Sequence, residues 1–361
     1  MIPFIDLKKQ YKQYKEEIDK EIFDVLNSSM FIGGEKISNL EKELANFTGS
    51  EYAISCSSGT DALLLSLMAI DIKPGDEVVT TPFTFIATAE VISFLGAKPV
   101  FVDIDEKTYN IDHTKIEEKI TENTKAILPV ALYGQPSDMD EINNIAKKYN
   151  LKVIEDAAQS FGATYKNKNS CNLSDIGCTS FFPSKPLGCY GDGGAVFTNN
   201  EDLANKIKML ANHGQNARYK HKYIGINGRL DTIQAAVLSV KLKYFQEEIK
   251  TRQNIAKRYS KLLQDKVTVP YIKDDRTSVY AQYSIRVTDR ENFTNKLNQN
   301  GIPTAIHYPM PLHLQECFLY LGYKNGDFPI SEMISTQIVS LPMSSFLTVE
   351  DQNRIVKFIN E

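Results

Sequence analysis

Residues 178–195 read Cys178-Thr-Ser-Phe-Phe-Pro-Ser-Lys-Pro-Leu-Gly-Cys-Tyr-Gly-Asp-Gly-Gly-Ala195. A single lysine, Lys185, is set between Pro183 and Pro186. The β-type aromatic run Thr179–Phe182 leads in, and Gly188, Gly191, Gly193 and Gly194 lead out to a second strand pattern, Ala195–Thr198. Prolines fix φ, and Pro186 biases Lys185 away from helix. Glycines permit positive φ and close backbone approach. The stretch therefore predicts a rigid, irregular connection between two strands, with a lysine aimed at a partner. A solvated loop lysine is the common alternative. The crowding of aromatics, glycines and cysteines around Lys185 favours a functional one.

Outward from this stretch, strands alternate with helices. Strand patterns fall at 52–55, 77–80, 99–103, 126–131 and 152–156; helical periodicity falls at 8–28, 38–47, 59–68, 85–94, 114–120 and 140–149. That alternation predicts an α/β fold, a mostly parallel mixed sheet sandwiched by helices. The period changes near residue 230. A long amphipathic helical region follows, with a break expected near Gln246, then strands at 278–287 and 304–308 and helices at 290–300, 329–340 and 349–360. The division expected is an N-terminal arm and large domain over 1–245 and a smaller α+β domain over 246–361.

The 361 residues carry 42% hydrophobic and 24% charged side chains and a formal charge of −4. Without a long basic run, nucleic acid and anionic membrane are poor partners. No apolar stretch reaches a membrane span, and the start lacks a signal-peptide layout, so a cytoplasmic protein is expected. Five cysteines without C-x-x-C spacing, and five histidines without a metal-ligand pattern, predict neither a disulfide framework nor a metal site.

Three further elements carry chemistry. Ser57-Ser-Gly-Thr-Asp-Ala62 lies at a strand-to-helix turn, where free N–H groups, Gly59 and the Thr60 hydroxyl can hold an anion; a plain N-cap is the alternative. Asp156 ends a strand in Ile154-Glu-Asp-Ala-Ala-Gln159, where ligands bind in open α/β sheets; it could also serve as a cap. Pro82-Phe-Thr-Phe85 offers a ring for core packing or for stacking on a planar cofactor. A lysine on an irregular connection, an aspartate 29 residues before it and a Gly-Thr helix start are together the parts that bind pyridoxal 5′-phosphate (PLP).

The chain resembles the DegT/StrS-like sugar aminotransferases, fold type I PLP enzymes, nearly end to end. Ser58-Gly-Thr-Asp-Ala-Leu63, Glu155-Asp-Ala-Ala-Gln-Ser160, Ser184-Lys-Pro-Leu-Gly188 and Gly225-Ile-Asn-Gly-Arg-Leu-Asp231 carry the resemblance. Ser170–Ser174 and Val279–Tyr283 look like the subgroup acting at C3 of UDP-2-acetamido-2-deoxy-3-keto sugars. The resemblance implies that Lys185 forms an imine with PLP and shuttles a proton. It implies that Asp156 pairs with the pyridine nitrogen, Gln159 contacts the ring hydroxyl, Phe85 stacks on the ring, and Gly59, Thr60 and Ser180 hold the phosphate. Asn227 would reach the phosphate in the neighbouring subunit of a homodimer, and Arg229, also from the neighbour, a carboxylate of donor or sugar. A surface ion pair with Asp231 is the other fate open to Arg229. Ser29, Phe31, Ser184, His307 and Tyr308 would contact the nucleotide sugar; a buried structural histidine is the alternative for His307. The implied partners are a UDP-linked keto sugar, uronic or neutral, and L-glutamate. A 4-keto UDP-sugar or a dTDP-3-keto-6-deoxyhexose is the alternative acceptor. A dehydratase of the same fold would carry histidine where Lys185 stands, and a non-catalytic paralogue would not need the intact cofactor set.

Overall fold

A computed structural model describes residues 2–361. In chain order the elements are α1 (Leu7–Ser28), α2 (Glu35–Thr48), β1 (Tyr52–Cys56), α3 (Gly59–Ala69), β2 (Glu77–Thr80), α4 (Ala87–Phe94), β3 (Lys98–Phe101), β4 (Thr124–Ile127), α5 (Met139–Tyr149) and β5 (Lys152–Asp156). A small hairpin, β6 (Thr164–Tyr165) and β7 (Lys168–Asn169), precedes β8 (Ile176–Ser180), β9 (Gly194–Thr198) and α6 (Glu201–Leu210). A second hairpin, β10 (Gln215–Ala217) and β11 (Lys220–His221), precedes α7 (Thr232–Leu263). The remainder is β12 (Tyr283–Arg286), α8 (Arg290–Gln299), α9 (Pro329–Gln337), β13 (Ile338–Leu341) and α10 (Val349–Asn360).

Seven strands form the main sheet in the order β1-β9-β8-β5-β4-β2-β3. Only β9 runs against its neighbours, β1 and β8. Both faces are covered, which is why the central strands are apolar on successive residues rather than on alternate ones. Val78, Ala126, Ile154 and Val196 pack with residues of α3, α4 and α6. Val79, Ile127 and Val153 pack with α5, and Ala195 and Phe197 with α2 and α7. A separate core joins β12, β13, α8 and α10 to the far end of α7 through Ile255, Ala256, Tyr259 and Leu263. The expected boundary at residue 245 thus falls inside one helix that serves two cores.

The sheet, its strand limits and most helices match the sequence pattern to within a few residues. The break near Gln246 is absent: α7 is continuous, because Phe245 and Ile249 stay buried on the same face on either side of it. The helix expected at 114–120 is two short 3-10 turns. The helix expected to run to Ser340 stops at Gln337, and Ile338–Leu341 instead pairs with β12. Residues 304–308 form only one bridge, Ala305 to Ser340. At Ile338–Leu341 tertiary pairing overrides local propensity.

Candidate active site

The parallel strands deliver their carboxyl ends to one edge of the sheet, the usual ligand edge of open α/β folds. Asp156 ends β5 beside Cys178 of β8. Two residues beyond that register β8 ends at Ser180 and gives way to the irregular segment carrying Lys185. The segment is tied on itself by Lys185 N–H to the Phe182 carbonyl (2.8 Å), Cys189 N–H to the Phe181 carbonyl (2.8 Å) and Phe181 N–H to the Gly193 carbonyl (2.7 Å).

A cavity of about 460 Å³ opens on this edge. It is lined by Gly59, Thr60, Phe85, Asp156, Gln159, Ser180, Ser184, Lys185, His307 and Tyr308, ten of the residues singled out in the sequence, and also by Thr88 and Gln282. Asp156 is buried, 5% exposed. Its carboxylate accepts from the Thr88 hydroxyl (2.8 Å) and from Ala158 N–H (3.2 Å). Burial raises its pKa, partly offset by these donors and by the Lys185 charge. The same burial lowers the Lys185 pKa, against the pull of Asp156, which brings the amine closer to its neutral, nucleophilic form. Glu155, one residue earlier, points to the opposite face, where Ser170 Oγ (2.6 Å) and Cys171 N–H (2.9 Å) donate to it.

Gln159 is fixed at both ends of its amide. Its oxygen accepts from Tyr133 N–H (2.7 Å), and its nitrogen donates to the Tyr308 hydroxyl (3.2 Å). His307 Nδ1 lies 2.9 Å from Ser340 Oγ, and its carbonyl accepts from the Tyr133 hydroxyl. Burial, then the Lys185 charge, lowers the His307 pKa. Phe85 remains 53% exposed on the cavity, its ring 6.1 Å from that of Tyr308. At the other wall α3 begins. Ser58 Oγ accepts from Asp61 N–H (3.0 Å), and the first-turn N–H groups of Gly59 and Thr60 have no carbonyl one turn back. A Cβ on Gly59 would sit 2.6 Å from Ser180 Cβ, so only glycine lets α3 approach β8 this closely.

Ser29, Phe31, Asn227 and Arg229 do not line this cavity. Ser29 caps α1 in the left-handed conformation. The exposed Phe31 gives its carbonyl to Thr232 N–H (3.0 Å). Asn227 is exposed beside Gly228, whose carbonyl accepts from Ser57 N–H (3.0 Å). Arg229 lines a separate cavity of about 680 Å³ with Lys208 and Glu41. It donates to Asn212, forms no ion pair with Asp231, and leaves its Nε buried without a partner. Sequence reasoning missed Thr88, which sits 68 residues from the aspartate it serves, and Gln282, although Gln282 lies in the quoted Val279–Tyr283 stretch.

Residues 12–360 match the sequence profile of the DegT/DnrJ/EryC1/StrS aminotransferase family. The chain is 52% identical to the UDP-2-acetamido-2-deoxy-3-oxo-D-glucuronate aminotransferase of Pseudomonas aeruginosa, covering 96% of each chain. It is 44% identical to the dTDP-3-amino-3,6-dideoxy-alpha-D-galactopyranose transaminase of Aneurinibacillus thermoaerophilus, covering 100% of this chain and 99% of that one. Among solved structures, NtdA from Bacillus subtilis with bound cofactor PMP superposes with a TM-score of 0.93 at 34% identity, covering 99% of this chain and 84% of that one. The cavity fits such a cofactor in its donor set: a helix start and a Gly59–Ser180 cradle for a phosphate, a buried carboxylate for a ring nitrogen, a half-exposed ring for stacking and a desolvated lysine for the aldehyde. The chain belongs to the DegT/DnrJ/EryC1/StrS aminotransferase family and is a PLP-dependent aminotransferase.

Proposed function

We propose that this enzyme transfers the amino group of L-glutamate to the C3 ketone of a UDP-2-acetamido-2-deoxy-3-keto sugar, in the glucuronic acid or the glucose form. The product would serve bacterial surface polysaccharide such as O-antigen, or lipid A. The observation that carries this is the 52% identity, over 96% of both chains, to the Pseudomonas aeruginosa enzyme. A dTDP-3-keto-6-deoxyhexose acceptor is the second reading, supported by the 44% identical Aneurinibacillus relative.

PLP supplies the electron sink. Lys185 would hold the cofactor, and as an amine whose basicity burial has lowered it would move a proton at the carbon the cofactor activates. Asp156 would hold the ring nitrogen protonated, Gln159 would meet the ring hydroxyl, and Phe85 would cover the ring face. Gly59, Thr60 and Ser180 would hold the phosphate. Ser184, His307 and Tyr308 face the sugar nucleotide. Asn227 and Arg229 complete the site of the other subunit in a homodimer, and Ser29 and Phe31 contact the nucleotide sugar. Arg229 suits that work, since a guanidinium forks onto a carboxylate. Exposed Phe23, Leu26, Met30, Phe31 and Ile32 near the end of α1 supply apolar surface for such a partner. The domain division at 245 and 246 is proposed on the two cores that share α7. Among the described residues no helix is long and apolar enough to cross a membrane. All five cysteines are free, which suits a reducing, cytoplasmic compartment.

Offering glutamate with each 3-keto and 4-keto nucleotide sugar and following 2-oxoglutarate tests the reading. Turnover with the UDP-3-keto acceptors is expected. Turnover only with a 4-keto sugar would overturn it. Lys185→Ala should abolish the visible absorbance band of lysine-bound PLP, and a normal band would remove Lys185 from its role.

A further inference from the structure

The helix α7 crosses behind the Lys185 segment and places one buried cation against it. Lys241 is 2% exposed, and its ammonium donates to the carbonyl of Gly188, three residues after Lys185. Its nitrogen also lies 5.4 Å from the centre of the Tyr190 ring. Seven residues earlier, two turns up the same helix face, Gln234 grips the same segment. Its amide oxygen accepts from Tyr190 N–H (2.8 Å), and its amide nitrogen donates to the Tyr190 carbonyl (3.4 Å).

These contacts lie where the segment has least slack. A Cβ on Gly188 would come within 2.6 Å of the Pro183 carbonyl oxygen, and one on Gly191 within 2.9 Å of Gln234 Nε2. The segment's other bonds tie it to itself or to β9. Lys241 and Gln234 therefore anchor it to a rigid element outside the sheet. A buried lysine is costly to desolvate. Burial does lower its pKa, to about 8, with Glu248 and Cys189 pulling it up and Arg252 pushing it further down. Glu248 itself is held by Gln10 (3.0 Å) and Tyr14 (2.9 Å) of α1 and by Ser345 (2.9 Å). A leucine or methionine would fill the site at lower electrostatic cost, so the charge needs a reason beyond packing.

We propose that Lys241, seconded by Gln234, is a positioning residue: it clamps the Gly188–Tyr190 backbone so that Lys185 is held in register with Asp156 and the cofactor. The clamp acts only through Lys185 and rests on the assignment of Lys185 as the cofactor-bearing lysine. Loss of its donor frees the Gly188 carbonyl, and Lys185 then samples poses away from the reacting carbons.

The test uses the full-length protein with and without PLP. Lys241→Met removes the donor, and Lys241→Arg keeps a cation. In Lys241→Met, conversion of the PLP form by glutamate is expected to slow about tenfold or more, since small misplacement of a reacting group is expensive. The pH midpoint of the visible absorbance band should move, and backbone hydrogen exchange over residues 181–190 should quicken in the PLP-free protein. Lys241→Arg should restore most of the rate and the midpoint. A rate within twofold of wild type and an unmoved midpoint would overturn the clamp. If Lys241→Met does not fold, Gln234→Ala carries the same expectations at smaller amplitude and the same refutation. Lys185→Ala separates the two ideas. A band surviving in that variant would sink the Lys185 assignment, whereas a band lost there with Lys241→Met and Gln234→Ala unchanged would sink the clamp alone.

Discussion

Substituting Gly59 by alanine should damage cofactor binding as well as stability. The backbone of Gly59 is compatible with any residue, so the effect is steric rather than conformational. The new Cβ would meet Ser180 Cβ at 2.6 Å, Ser180 Oγ at 3.0 Å and Ser180 Cα at 3.2 Å. Carbon pairs rest at about 3.5–4.0 Å, so α3 and β8 must part by roughly 1 Å. Overpacking of this kind costs about 1–3 kcal/mol of stability. The same 1 Å opens the proposed phosphate cradle, where productive geometry is held to about 0.5 Å, so affinity for PLP should fall about 10- to 100-fold. Titrating PLP into the apo-protein by absorbance, beside a thermal melt, measures both. Gly322→Ala is the control: at φ +81° it strains the backbone by about 1–2 kcal/mol, but its Cβ meets nothing within 4 Å. It should lower the melting temperature and leave PLP affinity alone. A Gly59→Ala protein that melts lower yet binds PLP like wild type would refute the cradle as the phosphate site.

Phe85→Leu should weaken PLP binding about 2- to 10-fold, the worth of one aromatic stack, with little change in melting because the ring is half exposed; unchanged binding would place the ring elsewhere. Burial pushes Glu155 up to about 7, so the native state binds this proton more tightly than the unfolded chain. Stability from Glu155 is then fully present below about pH 4.5 and is lost as pH rises through about 7, on the order of 3 kcal/mol, and Glu155→Gln should flatten that part of the profile in denaturant titrations. Equal slopes in both proteins would contradict it. Mixing and co-refolding inactive Lys185→Ala and Asn227→Ala proteins should return about a quarter of wild-type activity if sites are shared across a homodimer, since half the random dimers would then hold one intact site. Recovery of none would place Asn227 outside a shared site.

The main sheet was readable because its strands are short apolar runs closed by Gly and Pro, and because burial on both faces leaves few other fates for such runs. Lys185 and Asp156 stood out for the same local reasons: two prolines fix one, and a strand end presents the other. What local pattern could not give is pairing between distant segments. Ile338–Leu341 continues a helical pattern and becomes a strand only because β12 lies beside it. The two ends of α7 belong to different cores, yet their shared buried face keeps the helix unbroken through Gln246.

By itself the sequence determined the α/β class and the family and singled out candidate residues for the cofactor, since each rests on residue type and short spacing. Tertiary structure alone decided which of those residues share a cavity and which face away from it. Ten converge on one site, while Ser29, Phe31, Asn227 and Arg229 lie outside it. It also brought in groups with no local signature: Thr88 on Asp156, and Lys241 beneath the Gly188 carbonyl. The physical reason is that a hydrogen bond to a buried group depends on which elements the sheet order makes neighbours. That order is set by burial summed over the whole chain rather than by any stretch of it.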